Sequence, residues 1–199
     1  MTSPALRTCG FGLVLGLFAA ACRADDEKKV DLQVGDPAPA FEGRTDQDKT
    51  WGSADHYKKK WVVVYFYPGD FTTGCTAQAK AFSEGMNKLT ELGVEVIGVS
   101  GDSVKTHELF RKAQKLNFTL LADEDGEIAK KFGVPFGPGA TVKAKDADGN
   151  LIELKRAGTA ARWTFVVGKD GKLAYKNTKV NPADDAKKVT EFITKAEDK

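Results

Sequence analysis

Cys75 closes the segment Pro68-Gly69-Asp70-Phe71-Thr72-Thr73-Gly74-Cys75. An apolar run, residues 61–67, precedes it, and residues 76–92 carry apolar side chains at helical spacing. The pattern places the thiol on the first turn of a helix that starts where a buried strand stops. Backbone N–H groups at a helix start have no partner within the helix, and the helix dipole is positive there. Such a place favours the anionic form of a thiol, which is the attacking form. An inert buried cysteine is the alternative reading, but a helix start after Gly74 is not the apolar setting it needs. The residue three before the cysteine is Thr72. A second cysteine there would make a disulfide-exchanging pair; a hydroxyl instead can hydrogen-bond a thiolate or a bound oxygen. The segment is therefore suited to one sulfur meeting an oxidant.

The elements that must position this sulfur are readable around it. Residues 34–41, with Pro37 and Pro39, form an extended lead-in. Residues 46–57 are polar and turn-rich, with a short helix expected at Ser53-Ala54-Asp55. Residues 61–67 lack alternation, as a strand covered on both faces does. In the helix after Gly74, Phe82, Met86 and Leu89 share one face, and Gly93 ends it. A second buried strand spans 94–100. Ser103 caps a helix to about 116, with Leu109, Phe110 and Ala113 inward. A short strand at 118–121 and a short helix at 125–132, stopped by Gly133 and Pro135, follow. Residues 141–145 and 150–154 flank Asp146-Ala147-Asp148-Gly149 as a projecting hairpin. Residues 162–167 and 172–175 form another, and Pro182 opens a last helix with Ala186, Val189, Phe192 and Ile193 inward. This order predicts an α/β three-layer sandwich, a mixed central sheet with helices on both faces.

The chain of 199 residues carries 41% hydrophobic residues, enough for one compact domain. Thirty basic and 28 acidic side chains leave a net charge of +2, and no basic patch is interleaved with aromatics. Nucleic acid is thus not an expected partner, and the run Lys58-Lys59-Lys60 reads as a solvated loop. Residues 1–21 read as a signal peptide, with Arg7 before an apolar stretch at 11–21 that is shorter than the roughly 20 residues of a membrane span. Residues 22–33 read as a polar tether and 34–199 as the domain. Cys22 after Ala19-Ala20-Ala21 resembles a lipoprotein cleavage site, although position 19 would usually be Leu; ordinary cleavage after Ala21 or Ala24 is the alternative. The expected location is the bacterial periplasm, with membrane attachment if Cys22 is lipidated. Of the three cysteines, Cys9 would be removed and Cys22 would be lipid-capped, removed or left on the tether, leaving Cys75 as the working thiol of the domain. His56 and His107 fit no triad or metal spacing and are expected at the surface; no metal or cofactor is expected.

Taken together, these residues resemble the peroxiredoxins, of the alkyl hydroperoxide reductase and thiol-specific antioxidant type. Within them the chain is most similar to the bacterioferritin-comigratory-protein, or peroxiredoxin Q, group. Four features carry the resemblance: Val34-Gly35-Asp36 with Ala38-Pro39 and Phe41; Tyr65-Phe66-Tyr67-Pro68; Pro68, Thr72 and Cys75 at their signature spacing; and Arg162 before Trp163-Thr164-Phe165. The resemblance runs from about Val34 to the C-terminus. It implies a thioredoxin-like fold and a thiol-dependent peroxidase acting on hydrogen peroxide or organic hydroperoxides. Cys75 would attack the peroxide, and Arg162 would stabilise thiolate and developing oxyanion. Thr72 would hydrogen-bond thiolate and peroxide, Pro68 would wall the pocket, and the N–H groups of Gly74 and Cys75 would face the reacting oxygens.

Two departures follow from the comparison of motifs. Many peroxiredoxin Q proteins carry a resolving cysteine five residues after the first, where this chain has Lys80. Glu often stands three after the cysteine, where this chain has Gln78, which keeps hydrogen bonding without the charge. The expected cycle is therefore a one-cysteine cycle completed by an external thiol, thioredoxin-like or of low molecular weight, in a monomer or dimer. The competing readings are an exported thioredoxin-like thiol–disulfide oxidoreductase, which Thr72 disfavours, and a non-catalytic thioredoxin-fold binding module.

Overall fold

The computed structural model describes Met1 and residues 30–198. The expected signal peptide, Cys9, Cys22 and most of the tether lie outside these residues. Seven strands form one sheet and two more form a separate hairpin. In chain order the elements are β1 (Glu42–Thr45), β2 (Thr50–Gly52), β3 (Trp61–Phe66), α1 (Thr73–Glu91), β4 (Val94–Ser100), α2 (Val104–Gln114) and β5 (Thr119–Ala122). They continue as α3 (Glu127–Lys131), β6 (Phe136–Lys145), β7 (Leu151–Ala160), β8 (Trp163–Val167), β9 (Leu173–Asn177) and α4 (Asp185–Glu197). The sheet runs β2-β1-β5-β4-β3-β8-β9. β4 lies parallel to both β3 and β5, and the other pairs are antiparallel.

β3 shows why an unbroken apolar run becomes a central strand. All six of its residues are buried. Alternation sends Trp61, Val63 and Tyr65 into one core and Val62, Val64 and Phe66 into the other. The first core is roofed by Phe82 and Leu89 of α1, Phe110 of α2, and Val189 and Ile193 of α4. The second is closed by Ile128 and Ala129 of α3, with Phe132, Phe41 and Trp51. The sheet is therefore covered on both faces, as predicted.

Several details differ from expectation. β1 and β2 escape the sequence pattern because they are only four and three residues long and, apart from the buried Trp51, carry no large apolar side chain, so neither periodicity nor apolar content marks them. The expected short helix at 53–55 is a 3-10 turn. On α2 the buried side chains are Thr106, His107 and Phe110, whereas Leu109 and Ala113 are only partly covered. The last helix starts at Asp185, three residues past Pro182, which sits in a turn held by Asn181. The projecting hairpin is longer than predicted, ten residues in each strand, and its base docks on Gly101, just after β4.

One feature of the topology places the site. β8 runs antiparallel to β3, with Trp163 opposite Phe66. The residue before β8, Arg162, is thereby set beside the end of β3, where the segment 68–75 begins.

Candidate active site

The chain leaves β3 through a turn with two left-handed positions, Gly69 at φ 152° and Phe71 at φ 60°. It enters α1 at Thr72, whose backbone is extended. The first backbone bond of the helix runs from Thr76 N–H to Thr72 C=O at 2.9 Å. The N–H groups of Gly74 and Cys75 precede that bond and have no helical carbonyl to meet. Cys75 is the cysteine among the described residues; it is unpaired and 1% exposed.

Arg162 reaches it from the start of β8. Its Nη2 donates to Cys75 Sγ at 3.1 Å, and its Nη1 donates to Oε1 of Gln78. Cys75 and Gln78 stand three apart on one face of α1, so one guanidinium spans both. A fixed cation beside a sulfur at the positive end of a helix can stabilise a thiolate, and negative charge developing on an oxygen bound there. Gly74 lies under the same group: a Cβ built on it would be 3.5 Å from Arg162 Nη2 and 3.6 Å from Pro182.

The structure therefore brings Cys75, Arg162, Gln78 and Gly74 together. Pro68 stands at the head of the turn, partly covered. Thr72 is placed differently from the hydrogen bond expected of it. Its hydroxyl donates to Gly69 C=O at 3.1 Å, not to the sulfur, because the turn leaves that carbonyl within its reach. It keeps lone pairs for accepting, and would have to release Gly69 to donate to an oxygen substrate.

A buried charged network lies behind the turn, and sequence reasoning missed it. Asp70 N–H donates to Asp102 Oδ2 at 2.8 Å, and Tyr67 donates to Asp70 Oδ1 at 2.8 Å. Arg156, from β7 of the hairpin, donates through Nε to Asp102 at 3.0 Å and through Nη2 to Asp70 C=O at 3.1 Å. Its guanidinium lies against Gly69, where a Cβ would fall 1.8 Å from Cζ. At the hairpin base Ala157 N–H donates to Gly101 C=O at 3.0 Å. The inserted hairpin thus grips the turn that carries the cysteine.

His107 completes this network and corrects the expectation of a surface residue: it is fully buried. Its Nε2 faces Leu121 C=O at 3.1 Å and its Nδ1 lies 2.7 Å from Asp70 Oδ2. Burial disfavours the charged ring, but Asp70, Asp102 and the Leu121 carbonyl together outweigh it and hold the proton above the ordinary histidine value. His56 is also not at the open surface; it stacks on Trp51 and its Nδ1 lies 2.6 Å from Glu95. A signal for His107 existed: it stands three before Phe110, on the inward face of α2. Arg156 likewise shares strand parity with Leu154.

Among the described residues no group of three His, Cys, Asp or Glu side chains could hold a metal ion, and no helix is long and apolar enough to cross a membrane.

The model described as the AhpC/TSA family matches residues 34–176. Chloroplastic peroxiredoxin Q of Oryza sativa subsp. japonica is 47% identical over 144 residues, covering 72% of this chain and 58% of the relative. The chain thus spans little more than half the length of that curated relative. A Coxiella burnetii relative of the bcp peroxiredoxin type is 36% identical over 145 residues, covering 73% of this chain and 87% of its own. Among solved structures, the bacterioferritin comigratory protein of Xanthomonas campestris, described for alkyl peroxide reduction, aligns with a TM-score of 0.66 at 27% identity. That alignment covers 84% of this chain and 98% of the other.

Proposed function

The chain belongs to the AhpC/TSA family, the peroxiredoxins, and on that premise we propose that it is a thiol-dependent peroxidase working through Cys75 alone. The observation that carries this reading is the 3.1 Å contact of Arg162 with Cys75 Sγ at the start of α1. The Cys75 thiolate attacks the terminal oxygen of a hydroperoxide. An S–O bond forms as the O–O bond breaks, and the leaving oxygen departs with a proton as water or alcohol. Cys75 is left as sulfenic acid. Arg162 beside the sulfur and the unpaired N–H groups of Gly74 and Cys75 at the helix start supply donors where negative charge grows, which lowers the barrier. Pro68 limits access of water to the sulfenic acid.

The second half of the cycle comes from outside. One thiol displaces water from the sulfenic acid to give a mixed disulfide, and a second releases Cys75 and leaves as disulfide. Lys80 at the position of a resolving cysteine, and the lack of another cysteine among the described residues, support this route. The reductant is a thioredoxin-like protein or a low-molecular-weight thiol. Export, with or without a lipid on Cys22, is proposed on the sequence of residues 1–24; mass spectrometry of the mature first residue tests it.

The test of function is peroxide consumption with an added thiol. Two thiols should be oxidised per hydroperoxide, and Cys75→Ser should abolish turnover. A Cys75→Ser protein that turns over at the original rate would rule the reading out.

A further inference from the structure

The guanidinium on the sulfur is itself held through a buried relay. Arg162 Nη1 donates to Gln78 Oε1, and Gln78 Nε2 donates to Asp185 Oδ2 at 2.7 Å. Thr164, two residues beyond Arg162, donates to the same oxygen at 2.7 Å. Gln78 and Thr164 are 0% exposed and Asp185 is 1% exposed. The relay joins α1, the start of β8 and the first turn of α4.

Its polarity has one solution. A guanidinium has donors only, so it must meet the amide oxygen of Gln78. The amide nitrogen then points the other way and must meet an acceptor. Asp185 is that acceptor. With an apolar residue at 185, the amide would lose its anchor, and a flipped amide would set N–H groups against the guanidinium.

We propose that Asp185 is a positioning residue of the Cys75 site: it fixes the Gln78 amide and, through it, holds the Arg162 guanidinium over the sulfur. This deepens the peroxidase reading and rests on Cys75 being the reacting sulfur. The carboxyl is ill suited to a purely structural part. Its Oδ1 is buried with no hydrogen-bond partner among the described residues, a cost to folding that a plain helix start need not carry. Burial pushes the acid up, while Thr164, Gln78, Arg162 and Lys188 pull it back. The charged and titratable groups around Asp185 are Arg162 before β8, Lys188 on α4, Tyr65 on β3 and Tyr175 on β9, with Cys75 further along the relay. Its place on the first turn of α4 favours the anion.

The test exchanges the two groups. Gln78→Glu alone sets two carboxylates against each other. Gln78→Glu with Asp185→Asn reverses the relay: the new amide donates, the new carboxylate accepts, and the guanidinium still meets an oxygen. Asp185→Ala removes the anchor, and Asp185→Asn keeps its shape. Stopped-flow oxidation of Cys75 by hydrogen peroxide should slow roughly tenfold in Asp185→Ala and in Gln78→Glu, the size of one hydrogen bond to a charged group. The exchanged pair should return to within about threefold of wild type, and Asp185→Asn alone should lose less than Asp185→Ala. Alkylation of Cys75 by iodoacetamide, which develops no oxyanion, should fall by a smaller factor and recover in the same pair.

Wild-type rates in both Asp185→Ala and Gln78→Glu, or no recovery in the exchanged pair, would overturn the proposal. Should Asp185→Ala fail to fold, the Gln78→Glu and exchanged variants decide alone. A wild-type protein inert to peroxide would overturn the peroxidase reading instead, and the alkylation series would still report the relay.

Discussion

Arg162 and Cys75 are 87 residues apart in the chain, yet Nη2 of one lies 3.1 Å from Sγ of the other. The contact exists because β8 pairs with β3 in a register that sets Trp163 opposite Phe66. Arg162→Met keeps the stem and removes every donor. Oxidation of Cys75 by hydrogen peroxide should slow by about 10²–10³, as when a donor to a developing oxyanion is removed. Arg162→Lys should recover only part, since one ammonium lacks the planar fork that spans Cys75 and Gln78. Stopped-flow fluorescence or quench measurements read both.

Arg156 supplies a second prediction, about stability. Its guanidinium is the cation against the buried carboxylate of Asp102, in a network that also holds Asp70 and the backbone at Gly69. Arg156→Met leaves Asp102 uncompensated. The expected loss is about 3–5 kcal/mol, the size seen when one partner of a buried pair is removed. Urea denaturation measures it. Asp102→Asn in the same background should restore part of the loss. Hydrogen exchange of the amides at 69–75 should rise in Arg156→Met while those of β4 change little, because the hairpin grips the turn and not the sheet centre.

A third prediction concerns pH. Burial alone would lower the His107 value, but Asp70 at 2.7 Å raises it above the ordinary value near 6.5. The folded state then binds the proton more tightly than the unfolded chain. This contribution to stability is complete below about pH 6.5 and is lost as pH rises through the raised folded value. Asp70 is also pushed up, first by burial, so it adds the same sign at lower pH. Unfolding free energy should therefore decline from mildly acidic toward alkaline pH, and His107→Gln should flatten the upper part of that decline. A titration of denaturation midpoints in both proteins checks it.

How far the sequence carried these conclusions depended on burial and span. β3, β4 and α1 were legible because apolar residues fill whole faces of them, and Ser103 announced α2 by its cap, which accepts from Thr106 N–H at 3.2 Å. Cys75, Gln78 and Arg162 were legible as motif residues. The rest rests on long-range pairing that no local pattern encodes. Arg156 reads as one polar residue in an alternating strand until the hairpin base docks on Gly101. Asp185 reads as an acidic helix start until Gln78, 107 residues earlier, turns its amide toward it. Thr72 kept its place, but its hydroxyl went to a carbonyl that only the turn at Gly69 brings near.

Mass spectrometry of the reduced protein after one equivalent of hydrogen peroxide tests the one-cysteine cycle at Cys75 most directly. Cys75 should gain one oxygen, trapped as sulfenic acid by a selective nucleophile, with no intramolecular disulfide and with reversal by an added thiol. An unmodified Cys75, or a disulfide formed within the chain, would contradict it.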